Sequence, residues 1–397
     1  MAISPGGTAG VDPLEISRLR DPHGVLSVYA DADPRERLGR RPAWVVAVEN
    51  GLDEIRERVK SEGDRSRWAA VLRRLEQLGP ELTVLLDPRQ PGRGRALFAP
   101  IDSGEVHRVA LQMPIATRVV LDEVAYLTPL LVALDRGRPA GLVVVSQASV
   151  DVLEQKLGAA TEVEAVAIEP DSSEWRELKG PTAPSPATAQ HTAAQRDRFE
   201  RRLEEHRARL LEGAAERLAQ VVSRRAWDRV VVAGDRRLSQ PLADAAARSA
   251  ADVSIVERTL TGASPAEVAD VLAAELDRAN SRRESRLASR ALDAALSGGP
   301  GALGLGDVLA ALDDGRVGHL LFAEAREYRG MRAPDGRLVP EGVVPPGIAA
   351  EALEPEPALT AHMIERALAI DAKVTPLSAA GADALADHEG IAALLRW

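Results

Sequence analysis

Cysteine is absent from the 397 residues. Disulfides, thiolate metal sites and cysteine nucleophiles are therefore excluded, a usage that fits a reducing cytoplasm. Long apolar runs are missing too: LVVV at 142–145 and VVVA at 230–233 are strand-sized, far short of the ~20 residues of a membrane span. The first twenty residues lack the apolar centre of a signal peptide. A cytoplasmic chain without a membrane partner is expected. A net charge of −10 argues against indiscriminate binding to nucleic acid or anionic lipid. Common catalytic signatures are also lacking. The seven histidines form no H-x-x-x-H pair, no G-x-S-x-G occurs, and GGPGALGLG lacks the Lys-Ser/Thr of a P-loop.

What is present suits a folded chain. Apolar residues reach 45% and charged residues 28%, and the length suggests about two to four domains. Three are expected. An N-terminal α+β domain, 1–128, has a strand at VLSVYADAD (25–33), a helical stretch from Pro42 to Leu78, and short strands at LTVLLD, RALFAP, VHRVALQ and ATRVVL. Asp31 and Asp33 form a conceivable metal pair, but no third ligand accompanies them, and no metal or cofactor is expected.

A central domain, 129–258, opens with two apolar runs around DRGRP, which read as a hairpin. Later come strands at VEAVAIE, RVVVAGD and VSIVE, a long helix, and another helix from about Gln240. Strands followed by alternating helices and strands indicate an α/β fold with a partly parallel sheet. A C-terminal α/β domain, 259–397, has helices at 265–296, around DVLAALDDG and at 359–369, with strands at HLLFAE and AKVTPL.

One stretch stands apart. Residues 176–199, RELKGPTAPSPATAQHTAAQRDRF, form a polar loop whose prolines at 181, 184 and 186 forbid regular structure, leading into a charged helix. Between Arg176 and Arg209 eight Lys/Arg face five Asp/Glu, so a basic island sits in an acidic chain; ion pairing along a solvated helix face accounts for such a pattern equally well. In the helix, Phe199, Leu203, Leu210, Ala214, Leu218 and Val221 fall on one apolar stripe. Thr192-Ala-Ala-Gln195 fits a capping box, which gives Gln195 a structural task. Gln190, two residues before that cap, has no such task. It lies beside a helix N-terminus, whose free amides suit a phosphate or a developing oxyanion.

The order of loop, Gln190 and then Arg198-Phe199-Glu200-Arg201-Arg202-Leu203-Glu204-Glu205 resembles the central domain of the class 1 translation release factors of archaea and eukaryotes, in which a Gly-Gly-Gln loop precedes a similar helix. The C-terminal part resembles that superfamily independently, through Ala311-Leu312, Gly315-Arg316-Val317, Leu320-Leu321 and Gly390 to Trp397. Here Ala187-Thr188-Ala189 precede Gln190, and the better match is the bacterial branch similar to Vms-like release factors, relatives of eukaryotic peptidyl-tRNA hydrolases with a looser loop. The resemblance implies an RNase H-like central domain with a long helix after the Gln-bearing loop, and a C-terminal domain like release factor domain 3.

It also implies a monomer that acts on the ribosome, as 70S or as a split large subunit, and hydrolyses the peptidyl-tRNA ester. Gln190 would then be catalytic in a loop with Gly180, Ala189 and Gln195, while Arg176, Lys179, Arg196 and Arg198 would contact RNA. The alternative from the same superfamily is a non-catalytic ribosome-binding rescue or hibernation factor.

Overall fold

A computed structural model describes residues 12–33, 41–167, 189–249 and 252–397. It shows a mixed α/β chain with four sheets. These fall into two compact units, one built from the residues up to Gly137 together with Asn280–Trp397, the other from Arg138–Ala279. Three successive domains are expected from the sequence; by contact, the two ends of the chain group together and the residues between them form the other unit.

In the unit made from the chain ends, an antiparallel sheet runs in the order His107–Leu111, Gly94–Pro100, Arg20–Asp31, Arg118–Val124. Period-two alternation sorts its central strand. Leu26, Val28 and Ala30 face the helices Ala43–Ser61, Arg65–Gln77 and Gly79–Leu86 and share one core with them. Ser27 and Tyr29 serve the opposite side: the Tyr29 hydroxyl donates to the Tyr126 carbonyl at 2.5 Å, and the Tyr126 amide donates to the Ser27 hydroxyl at 3.0 Å. Arg95 is buried without a carboxylate. Its guanidinium instead donates to the carbonyls of Leu85, Asp87, Gly92 and Gln90, sealing the end of helix Gly79–Leu86.

The C-terminal residues add a sheet in the order Gly301–Leu303, Ile391–Leu395, Val317–Ala323, Lys373–Leu377, with only the last pair parallel. A three-stranded sheet has Gly330–Arg332 between Leu338–Pro340 and Glu354–Glu356. Arginine–carboxylate pairs tie the two ends of the chain within this unit: Arg20 to Glu365, Arg118 to Glu327, Arg136 to Glu324 and Arg283 to Asp135.

The unit Arg138–Ala279 has a five-stranded sheet in the order Ala159–Ala167, Ser149–Lys156, Ala140–Val145, Arg229–Ala233, Asp252–Val256. Its first three strands are antiparallel neighbours and its last three are parallel. Parallel strands require crossover connections, which the helices Ala189–Arg225 and Arg236–Ala247 supply. Both pack on one face of the sheet through Leu218, Val221, Val222, Leu242 and Ala246. Val268, Leu272 and Leu276, from the first half of helix Pro265–Leu296, join the core on the other face.

Several local expectations are corrected. LTVLLD is not a strand but the last turns of helix Gly79–Leu86, where Pro80 at the start fixes a helical φ. The stretch before DRGRP is helix Thr128–Arg136 rather than a hairpin arm; it has Pro129 in its first turn and belongs to the unit of the chain ends. Short apolar runs do not distinguish strand from helix by periodicity. The helix expected from Gln240 begins at Arg236, because Asp235 caps it by accepting from the Arg237 amide at 2.8 Å.

Candidate functional site

Helix Ala189–Arg225 carries the candidate site at its N-terminus. It begins at Ala189, three residues before the expected cap. Thr192 and Gln195 therefore lie inside the helix, and their spacing is not a capping box. The box geometry occurs instead at Ser264 and Glu267. There the Glu267 carboxylate accepts from the Ser264 amide and hydroxyl, both at 2.8 Å, and these bonds hold Glu267 below the usual carboxylate range.

Gln190 falls in the first helical turn of Ala189–Arg225, among backbone amides with no intrahelical acceptor. Gln195, Arg196 and Arg198 follow within the same helix. Arg176, Lys179 and Gly180 lie outside the described residues.

The other end of the helix is fixed by packing. Leu211, Ala214, Ala215, Leu218, Val221 and Val222 are buried, against Val143, Val145, Val230 and Val232 of the sheet. After Arg225 the chain turns through Ala226, at φ 51°, and drives Trp227 into the core. The Trp227 Nε1–H donates to Glu154 Oε1 at 2.9 Å, while Arg225 donates to the other carboxylate oxygen at 2.8 Å. Gly141 permits this approach, since a β-carbon there would lie 2.5 Å from the indole. Sequence reasoning missed Trp227, Glu154, Arg225 and Gly141. The available signal was a glycine opening the apolar strand AGLVVV, where Gly costs strand stability unless something approaches closely.

Leu211 and Gln190 are 21 residues apart, or about 30 Å of helix at 1.5 Å per residue. Glu204, Glu205, Ala208 and Arg209, between them, are exposed. Packing at residues 211–222 holds the C-terminal part of the helix, and Gln190 lies near its other end. A carboxamide in a first turn can hydrogen-bond water and present a donor, beside amides that favour negative charge. It does not abstract a proton by itself.

Two other clusters have structural roles. Asp31 and Asp33 both pair with Arg93, at 2.8 and 3.1 Å, so the conceivable cation there is already a guanidinium. Asp21 accepts from the amides of His23 and Asp102 at 2.8 and 2.7 Å, and His23 Nδ1 lies 2.8 Å from Asp102. These bonds tie the start of the long strand to the loop after Pro100. Among the described residues no helix is long and apolar enough to cross a membrane.

Residues 139–273 match the family model described as Bacterial archaeo-eukaryotic release factor family 5, a span that nearly coincides with the unit Arg138–Ala279. The protein YocB of Bacillus subtilis (strain 168) is 22% identical over 233 residues, covering 58% of this chain and 85% of YocB. Among solved structures, the archaeal translation termination factor aRF1 is 18% identical, covers 96% of this chain and 95% of its own, and has a TM-score of 0.25. Pelota in a ribosome-bound archaeal Pelota–ABCE1 model is 14% identical over 77% of each chain, with a TM-score of 0.40. Archaeoglobus fulgidus Pelota is 14% identical over 76% of this chain and 79% of that one, with a TM-score of 0.36.

Proposed function

We propose that this chain is a ribosome-associated peptidyl-tRNA hydrolase, a cytoplasmic and monomeric release factor that frees stalled nascent chains, with a loop of the Vms-like kind. The observation that carries this reading is the release-factor match over 139–273, together with the place of Gln190 within it, in the first turn of helix Ala189–Arg225. The substrate is the ester between a peptide and the terminal ribose of tRNA. Gln190 orients the attacking water, and first-turn amides stabilise the tetrahedral oxyanion. Arg176, Lys179, Arg196 and Arg198 contact phosphates near the tRNA end and so position without reading sequence. The ribosome supplies the rest of the site, which accounts for a chain without a complete catalytic constellation.

A second reading rests on one specific observation. Ala187-Thr188-Ala189 precede Gln190, where release factors carry Gly-Gly, so the left-handed backbone that glycine takes about 1 kcal/mol more readily than alanine is disfavoured here. On that ground the chain is a non-catalytic rescue or hibernation factor. Release of labelled peptide from purified ribosome–nascent-chain complexes and from split large subunits separates the two. Hydrolysis predicts release that scales with the protein added. Ribosome binding without release supports the second reading.

A further inference from the structure

The parallel pair of the C-terminal sheet is Val317–Ala323 beside Lys373–Leu377. Beyond their carboxyl ends the chain leaves toward opposite faces. After Leu377 it forms the turn Ala379–Ala382 and the 3-10 helix Asp383–His388, whose Ala382 and Leu385 pack on one face with Leu321 and Leu377. The connection out of Ala323 ends in helix Leu359–Ala369, which packs against both strands but contributes no residue to that core, and so covers the other face. Neighbouring strands whose connections part in this way leave a crevice beyond their carboxyl ends, the place where open α/β sheets bind ligands.

A cavity of about 420 Å³ occupies this crevice, within the size of small-ligand sites, about 300–1,000 Å³. Its walls are Ala323, Ala325, Ala379, Ala382, Ala386 and Gly390. At Gly390, where φ is 68°, an added β-carbon would come within 3.0 Å of the Ala323 β-carbon, so the wall there is bare backbone. Two side chains of opposite charge complete the lining, Arg326 and Asp383. They do not pair with each other, and neither makes a side-chain hydrogen bond or ion pair among the described residues. The carboxylates next to Arg326 are already taken, Glu324 by Arg136 and Glu327 by Arg118. Its guanidinium lies instead 5.8 Å from the centroid of the Tyr328 ring, which is itself fixed by bonds to the Glu389 and Gly390 carbonyls. An aromatic ring holds the cation and leaves its donors open.

A cavity with apolar walls and two separate, unlike charges selects its occupant by charge. A simple anion meets Asp383, and a simple cation meets Arg326. A molecule that carries both charges satisfies both. We infer that the cavity binds a small zwitterion of the amino-acid class, with its carboxylate on Arg326, its ammonium on Asp383 and its remaining atoms against the alanines. Free amino acids and dipeptides share this chemistry. The site belongs to the unit of the chain ends, whereas Gln190 belongs to the other, and it adds a binding activity to the proposed hydrolysis rather than a step of it.

The test is isothermal titration calorimetry of the full-length protein, without ribosomes, against each of the common L-α-amino acids and against diglycine. Variants Arg326→Gln, Asp383→Asn and Ala386→Phe are compared with wild type. All three positions are exposed, and unchanged thermal unfolding without ligand confirms that each variant is folded. The inference predicts that at least one of these zwitterions binds wild type at millimolar concentration or below. Each charge-neutralised variant weakens that binding about tenfold, the scale of one charge-assisted hydrogen bond, and Ala386→Phe, which fills the cavity, weakens it as well. The N-acetyl and carboxamide forms of the same ligand, each lacking one charge, also bind more weakly. Diglycine bound in preference to every amino acid identifies the longer ligand and supports the inference equally. No binding by any of them overturns it, as does binding that Arg326→Gln or Ala386→Phe leaves unchanged, or derivatives that bind as well as the parent. None of these results depends on peptide release, so the inference and the hydrolase reading fail separately.

Discussion

The indole of Trp227 stands against Gly141 so closely that a β-carbon on the glycine would lie 2.5 Å from its ring. This contact locks the start of strand Ala140–Val145 to the end of the helix that carries Gln190 at its other extreme. Gly141→Ala must push the indole aside, and overpacking of this kind costs about 1–3 kcal/mol. Urea unfolding should show a lowered midpoint with little change in slope. An unchanged midpoint would mean that the indole moves freely and does not anchor the helix.

Ser264→Ala removes the hydroxyl that donates to Glu267 and accepts from its amide. A loss of about 1 kcal/mol is expected, as for other N-cap deletions. Thr192→Ala, which lies inside its helix, should cost only tenths of that and serves as the comparison. A larger loss at Thr192 than at Ser264 would place the working cap at the wrong helix.

Acid should weaken the unit of the chain ends through Glu365. Burial acts to raise its pKa, but hydrogen bonds from His362 and Arg20 outweigh that and hold the carboxyl below its ordinary value of 4.5. A group whose folded pKa is depressed stabilises above its unfolded value, and that contribution fades as pH falls through the folded one. Glu365→Gln should therefore be less stable than wild type at neutral pH, with the difference shrinking below about pH 4.5. Thermal melts across pH 3–7 measure this, and a difference independent of pH would contradict it.

Tyr328 is buried, which pushes its hydroxyl up to about 12, and it donates to the carbonyls of Glu389 and Gly390 at 3.1 Å each. Tyr328→Phe leaves the Glu389 carbonyl short of a donor just before the last strand, while Gly390 keeps the bond from the Ala323 amide at 2.8 Å. A stability loss of about 1 kcal/mol is expected. A variant as stable as wild type would show that other donors take over.

The sequence exposed the fold unevenly. Strands rich in β-branched residues, such as RVVVAGD and VSIVE, were legible as short apolar runs bounded by turn residues, and so were the existence of the long helix after the loop, from its apolar stripe, and of helix 265–296, from its composition. PLLVALDR and LTVLLD were misread because a run of five or six apolar residues lacks a period, and the proline that decides in favour of a helix acts only through its place in the first turn. The two chain ends meet through contacts far apart in sequence, among them Arg20 with Glu365 and Val124 with Ala358 and Ala361, which no local pattern announces. At the candidate site, Gln190 was singled out by its place next to a helix. The helix start itself was set four residues too late, because Thr-x-x-Gln satisfies the capping pattern wherever it falls.

The central claim is that Gln190 positions the water that cleaves the peptidyl-tRNA ester. Single-turnover release of labelled peptide from ribosome–nascent-chain complexes, by wild type, Gln190→Ala and Gln195→Ala, tests it most directly. The account predicts a fall of about 10²–10³ in the release rate for Gln190→Ala, the scale on which positioned polar groups act, with ribosome binding retained and Gln195→Ala close to wild type. Release by Gln190→Ala at the wild-type rate would contradict it.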